Sequence, residues 1–219
     1  MNEYFLRQIA LWGEDTQNSL KDKKIAIIGS GGLGSSLGYA LSSSGIGEIS
    51  IVDFDTVSLH NIHRQILFGM EDIGKYKAEV FKKKLEKRYN GVKINVYLED
   101  FCVWSKRELK YDLILDATDN MPTRVMIDTF AKNTNTPWIY TSVEGFNGQI
   151  CFIDKAKFDF VKINDRKPGG ITTPIVMFMA SFEANLAIRY LANLDVKKDM
   201  FYYLDISSGE LNINKFKII

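Results

Sequence analysis

The chain has 219 residues, is 46% hydrophobic and 25% charged, and carries a formal charge of +1. That suits one soluble domain whose core needs no metal or disulfide staples, and the near-neutral charge supplies no global field to recruit nucleic acid or a membrane. Two cysteines, Cys102 and Cys151, exclude a disulfide framework and a four-thiolate zinc site, and no apolar run is long enough to cross a bilayer.

No secretory leader opens the sequence, so a reducing cytoplasm is the expected compartment. Residues 1–20 mix charges with aromatics and are expected to form an N-terminal arm. Residues 24–28 read as a buried strand running straight into a glycine cluster. Residues 33–41 read as a helix that ends in serines and Gly45, a left-handed stop. A second strand is expected at 49–52. Residues 76–89 give a helix with Ala78, Phe81, Leu85 and Tyr89 on one stripe and the lysines at 82–84 facing water. Strands follow at 92–98 and 111–115. Pro122 then stands in the first turn of another helix, and a fifth strand is expected at 138–143. This alternation predicts an α/β fold, Rossmann-like and doubly wound, with a mostly parallel sheet.

The last third predicts antiparallel C-terminal strands instead. Residues 148–153 read as a strand after a turn at Gly145. Residues 155–172 read as a mobile crossover loop, and 174–194 as a long, apolar, buried helix. Strands at 200–205 and 211–218 flank Ser207-Ser208-Gly209 as a hairpin. The whole chain, 1–219, is expected to be a single domain.

Gly29-Ser30-Gly31-Gly32-Leu33-Gly34 fits G-x-G-x-x-G directly after a strand and before a helix. Glycines let the backbone turn sharply and bring N–H groups to phosphate oxygens, and the helix N-terminus adds positive potential. Asp53 ends the next strand, about 20 residues on, where an acid accepts hydrogen bonds from ribose hydroxyls. The pattern points to a nucleotide without choosing between NAD and ATP. The choice comes from the stretch that follows, where Asn61 and Arg64 stand three apart and Lys77 comes after Gly74-Lys75-Tyr76. An arginine and a lysine at one phosphate loop can hold a triphosphate and neutralise a departing pyrophosphate.

Asp53-Phe54-Asp55-Thr56-Val57, continuing to Asn61 and Arg64-Gln65, resembles the signature of the ThiF/MoeB/HesA family, bacterial relatives of ubiquitin-activating enzymes. The similarity extends over nearly the whole chain. Tyr4-Phe5-Leu6-Arg7-Gln8-Ile9 resembles the family's R-Y-x-R-Q-I segment. Asp116-Ala117-Thr118-Asp119-Asn120 with Thr123-Arg124 resembles D-x-T-D-N-x-x-x-R, and Gly145-Phe146-Asn147-Gly148-Gln149 resembles the G-F-x-G-Q turn. Tyr203-Leu204-Asp205 resembles the closing hairpin.

The resemblance implies an adenylyltransferase that binds ATP and Mg²⁺. It puts Gly29, Gly31, Gly32 and Gly34 against the phosphates and Asp53 on the ribose. Asn61, Arg64 and Lys77 would contact the triphosphate, and Asp55 and Gln65 join the nucleotide-binding set. Asp119 would hold Mg²⁺, with Asn120 beside it. Arg64, Lys77, Asp119 and Arg7 form the implied catalytic set, Arg7 reaching into the neighbouring subunit of a homodimer. The implied partner is a ubiquitin-like sulfur-carrier protein, ThiS- or MoaD-like, with a Gly-Gly C-terminus.

Three features depart from the family pattern. The zinc-binding Cys-x-x-Cys pairs of many members are missing, so no structural zinc is expected. Residues 152–219 hold no cysteine, which argues against a covalent sulfur relay and leaves Cys151 a core residue. His60 and His63 replace the more usual Ser and Gln and read as packing or loop contacts. A chain this short, without an appended sulfurtransferase domain, favours the thiamine carrier. The alternatives are another carboxylate (on a modified tRNA or a peptide C-terminus), an NAD-dependent oxidoreductase, or an inactive scaffold.

Overall fold

The computed structural model describes residues 2–161 and 169–219. The chain opens with a 3-10 turn and two short helices, α1 (Leu6–Trp12) and α2 (Glu14–Ser19). They meet at Gly13, whose φ of +87° favours a residue without a Cβ. The amides of Gln8 and Gln17 both donate to the Ser44 carbonyl, at 3.1 and 3.0 Å. The N-terminal segment is therefore helical and tied down, a detail its mixed composition did not reveal.

The central strand β1 (Lys24–Ile28) is buried over its last four residues, as expected of a parallel strand covered on both faces. It is followed by α3 (Gly32–Ser42), β2 (Glu48–Val52), α4 (Lys77–Arg88), β3 (Lys93–Tyr97), the short α5 (Phe101–Trp104), β4 (Leu113–Asp116), α6 (Met121–Thr134) and β5 (Trp138–Glu144). The chain then runs through β6 (Asn147–Ile153), α7 (Thr173–Leu191), β7 (Met200–Asp205) and β8 (Asn212–Lys217). The strands form one sheet in the order β3-β2-β1-β4-β5-β6-β7-β8. Its first five members are parallel, and β5 through β8 pair antiparallel.

Strand alternation splits the core in two. Ile25, Ile27, Leu113 and Leu115 face α3, α4 and α7, whereas Ala26, Ile28 and Ile114 face α5 and α6. The order reverses between β1 and β4, where Ile28 lies opposite Asp116. In an open α/β sheet such a switch point leaves a crevice at the strands' carboxyl ends.

Two details refine the expectations. Lys84 does not simply face water: it reaches the carboxylates of Glu71 and Asp72. The start of the crossover, residues 154–156, is anchored where Asp199 Oδ1 accepts three backbone N–H bonds. Phe158 then packs 5.2 Å from Trp138 and 5.0 Å from Tyr140. Residues 162–168 of that crossover lie outside the described residues.

Candidate nucleotide site

The glycines do two different jobs. Gly29 leaves β1 with φ +96°, and a Cβ there would stand 2.6 Å from the Ala117 carbonyl oxygen beyond β4. A Cβ on Gly34 would stand 2.1 Å from the Gly29 carbonyl, so this pair lets helix, strand and neighbouring loop close up. Gly31 and Gly32 are less confined by backbone. A Cβ on Gly31 would meet the Gln65 amide at 3.5 Å, whereas one on Gly32 would stand 2.8 Å from Val176 Cγ1 of α7 and 3.5 Å from the Arg64 carbonyl. Gly31 caps α3 without any side-chain acceptor. The first-turn N–H groups of α3 therefore present donors and the positive end of the dipole, a fit for phosphate.

Asp53 follows β2 and is already engaged. Its Oδ2 accepts from the Ser30 N–H at 2.6 Å and the Ser30 hydroxyl at 2.8 Å, and its Oδ1 from the Asp55 N–H at 2.8 Å. It fixes the glycine loop to the end of β2, and a carboxylate with about four acceptor positions keeps capacity for a hydroxyl. Ser30 was not singled out by the sequence, because its partner is 23 residues away.

Residues 53–77 form an excursion closed at its neck. Thr56 bridges Tyr76, Val57 and Lys75 pair through a 2.9 Å bond, and the Lys77 N–H donates to the Asp55 carbonyl at 2.9 Å. The Lys77 ammonium meets Asp55 Oδ2 at 2.8 Å, its side chain only 7% exposed against 58% for Asp55. Asn61 is buried, and its Oδ1 accepts from the Ser58 N–H. Arg64 Nη1 donates to the His60 carbonyl at 2.9 Å and lies 3.0 Å from His63 Nε2. Gln65 is buried with its amide oxygen unpaired, an acceptor suited to a polar ligand or water. Asp72 tethers the excursion to α4: it accepts from the Gly69 N–H and from Lys75 and Lys84. Burial pulls its carboxyl upward, but these donors outweigh that and leave it below its ordinary range.

On the other side of the crevice, Asp116 is fully buried at the end of β4. It accepts from the Thr118 N–H and hydroxyl at 2.9 and 2.6 Å and from Arg124 Nε at 2.9 Å. Arg124 Nη2 also donates to the Thr118 and Thr141 carbonyls at 2.8 and 3.2 Å, and its guanidinium sits 5.1 Å from the Tyr140 ring centre. Burial pushes the Asp116 carboxyl up against the pull of Arg124 and Thr118. The pair shapes the turn carrying Asp119 and Asn120, both exposed. The Asn120 side chain caps α6 by accepting from the Thr123 N–H at 3.0 Å.

Asp53 is bonded to the glycine loop at Ser30, and Lys77 to Asp55 two residues on. Gln65 and the Arg64 carbonyl lie near Gly31 and Gly32, the Asn61 carbonyl holds the turn that carries them, and Asp119 and Asn120 follow the end of β4 across the switch point. Arg7 is not brought there. Its helix, α1, is tied through Gln8 to Ser44, beyond the far end of α3, and an 11-residue helix is about 16 Å long. One charged residue escaped sequence reading altogether: Glu183, in the apolar α7, has no exposed surface. Burial pushes its carboxyl well above the usual range, against the pull of the nearby Thr141 hydroxyl.

Residues 5–218 match the model of the ThiF family. The chain belongs to the ThiF family. It is 30% identical, over 95% of its length and 86% of the relative's, to the sulfur carrier protein ThiS adenylyltransferase of Escherichia coli strain K12. It is also 33% identical over 63% of its length to the sulfur carrier protein adenylyltransferase of Thermus thermophilus, of which it spans 52%. Like these relatives within the ThiF family, it is an enzyme of the adenylyltransferase kind. A crystal structure of E. coli MccB with ATP superposes with a TM-score of 0.87 over 100% of this chain and 72% of that one. At 22% identity it supports the shared fold.

Proposed function

We propose that the chain uses ATP to adenylate the C-terminal glycine carboxylate of a small ubiquitin-like sulfur carrier, a ThiS-like one in preference to a MoaD-like one. The observation that supports this reading is the side-chain-uncapped start of α3, with the Arg64 carbonyl 3.5 Å from the Cβ position of Gly32 and Lys77 paired to Asp55 on the same excursion. The ThiS preference is supported by the coverage of the E. coli relative, 86% of whose length aligns.

A carboxylate is already ionised at neutral pH, so attack on the α-phosphorus needs no general base. Its oxygen forms the new bond to phosphorus while the bond to the β-phosphate oxygen breaks, and pyrophosphate leaves. The protein's work is positioning and charge compensation. In this reading the α3 N-terminus and the glycine loop hold phosphate oxygens, and Asp53 takes the ribose. Arg64 and Lys77 balance the charge that builds on the leaving group.

Among the described residues no three His, Cys, Asp or Glu side chains gather to hold a metal. The donor set therefore fits a cation bound mostly by phosphates and water, with Asp119 supplying a single carboxylate, as Mg²⁺ is commonly held. Bound Mg²⁺ would supply additional charge neutralisation. We further propose a cytoplasmic homodimer in which Arg7 acts on the partner's site, consistent with its distance from its own.

ATP–pyrophosphate exchange with purified carriers tests the reading. Exchange with a ThiS-like carrier supports it, exchange with a MoaD-like carrier reassigns the pathway, and exchange only with a peptide or tRNA overturns the carrier.

A further inference from the structure

We propose that His63 is a positioning residue that holds the Arg64 guanidinium in its phosphate-binding pose; this rests on the site being an ATP site. The contact is directional. A guanidinium has only donors, so the 3.0 Å approach of Arg64 Nη1 to His63 Nε2 makes that ring nitrogen the acceptor. That role calls for the tautomer that carries its proton on Nδ1. The same Nη1 also donates to the His60 carbonyl. One end of the guanidinium fork is thus occupied by two acceptors, which leaves Nε and Nη2 for phosphate oxygens.

His63 can do this because its own backbone is held. Its carbonyl accepts from the Thr173 hydroxyl at the start of α7. The N–H groups of Arg64 and Gln65 both donate to the Asn61 carbonyl, at 3.1 and 3.0 Å. The Arg64 carbonyl lies against Gly32 of the phosphate loop. The turn's backbone is held between the glycine loop and α7, which keeps His63 and Arg64 side by side at the edge of the phosphate loop. A long arginine loses rotamer freedom whenever it binds a ligand. Ordering it beforehand removes part of that loss and appears as affinity.

The test is calorimetry of ATP binding, with Mg²⁺ present and no carrier, on the full chain and four variants: His63→Ala, His63→Gln, Arg64→Ala and the double alanine variant. Losing one partly exposed, charge-assisted hydrogen bond should weaken ATP binding roughly three- to tenfold in His63→Ala. Glutamine, whose amide oxygen can replace Nε2 as acceptor, should recover binding to within about twofold of wild type. With Arg64 absent, His63→Ala should add nothing, since the two residues act as one unit. Wild-type binding that His63→Ala leaves unchanged overturns the positioning role alone. So does a His63→Ala effect that persists in full beside Arg64→Ala, or one that glutamine fails to restore in a variant unfolding at the wild-type temperature. A wild-type chain that binds no ATP overturns the ATP reading of the site, and the role of His63 with it.

Discussion

Replacing Arg124 by Met should be among the most damaging single changes in the chain, and the reason is electrostatic. Methionine retains much of the apolar stem but removes the guanidinium, leaving Asp116 with no exposed surface and no counter-charge. Its hydrogen bonds go with it, to Asp116, to the Thr118 and Thr141 carbonyls and to the Met121 sulfur. A well-packed apolar replacement of a whole buried pair can be neutral, whereas removing one partner costs about 3–5 kcal/mol. Against a total stability of order 5–15 kcal/mol, that is a large fraction. Urea denaturation followed by circular dichroism should show the midpoint fall with little change in slope. Adding Asp116→Asn should restore part of the loss, because the stranded charge is then gone while the Thr118 donors keep an acceptor. A loss below about 1 kcal/mol in Arg124→Met would refute the reasoning, since it would mean that Asp116 is either solvated or neutral at no cost.

Three further outcomes follow from the same structure. Gly34→Ala should destabilise the fold by about 1–3 kcal/mol or more, because its Cβ meets the Gly29 carbonyl at 2.1 Å; unchanged urea stability would show that the loop and helix are not closely packed. Glu183→Gln should become stabilising relative to wild type as pH rises. The folded carboxyl binds its proton more tightly than the unfolded one, so the wild type holds its full stability below the unfolded value of 4.5 and loses it as pH climbs toward the raised folded value. Denaturation at pH 4 and pH 8 checks this, and a pH-independent difference between the two proteins would count against a neutral buried Glu183. Finally, burial pushes the Cys151 thiol up to about 12, so it should resist alkylation in the folded protein while the exposed Cys102 reacts. A chain carrying Cys102→Ser and Cys151→Ala should keep its adenylation activity; loss of exchange in a folded variant would give one of them a part in the adenylation step itself.

What could be read without coordinates was what depends on near neighbours in sequence. The run into Gly29, the apolar stripe of α4 and the turn at Gly145 all declare themselves within a few residues, and so the α/β alternation and the change to antiparallel strands were visible. Contacts made across the fold were not. Asp53 read as a ribose ligand, but its link to Ser30 spans 23 positions. Lys84 read as one of three solvated lysines, yet it is tied to an aspartate on the neighbouring excursion. Glu183 passed unremarked because a single acid in an apolar helix is ordinarily placed at the surface, and only the packing of α7 on the sheet shows that it is enclosed. The helices at the N-terminus were missed for a similar reason: their stabilising partner, the Ser44 carbonyl, is supplied by a distant turn.

The most direct test of the account is ATP–pyrophosphate exchange with a ThiS-like carrier bearing an intact Gly-Gly terminus, run beside the same carrier with its terminal glycine removed. Exchange should require the intact terminus and fall by about two orders of magnitude or more in Lys77→Ala or Arg64→Ala, as expected when a preorganised charge contact to the leaving group is removed. Exchange indifferent to the carrier's terminus, or undiminished in both variants, would contradict it.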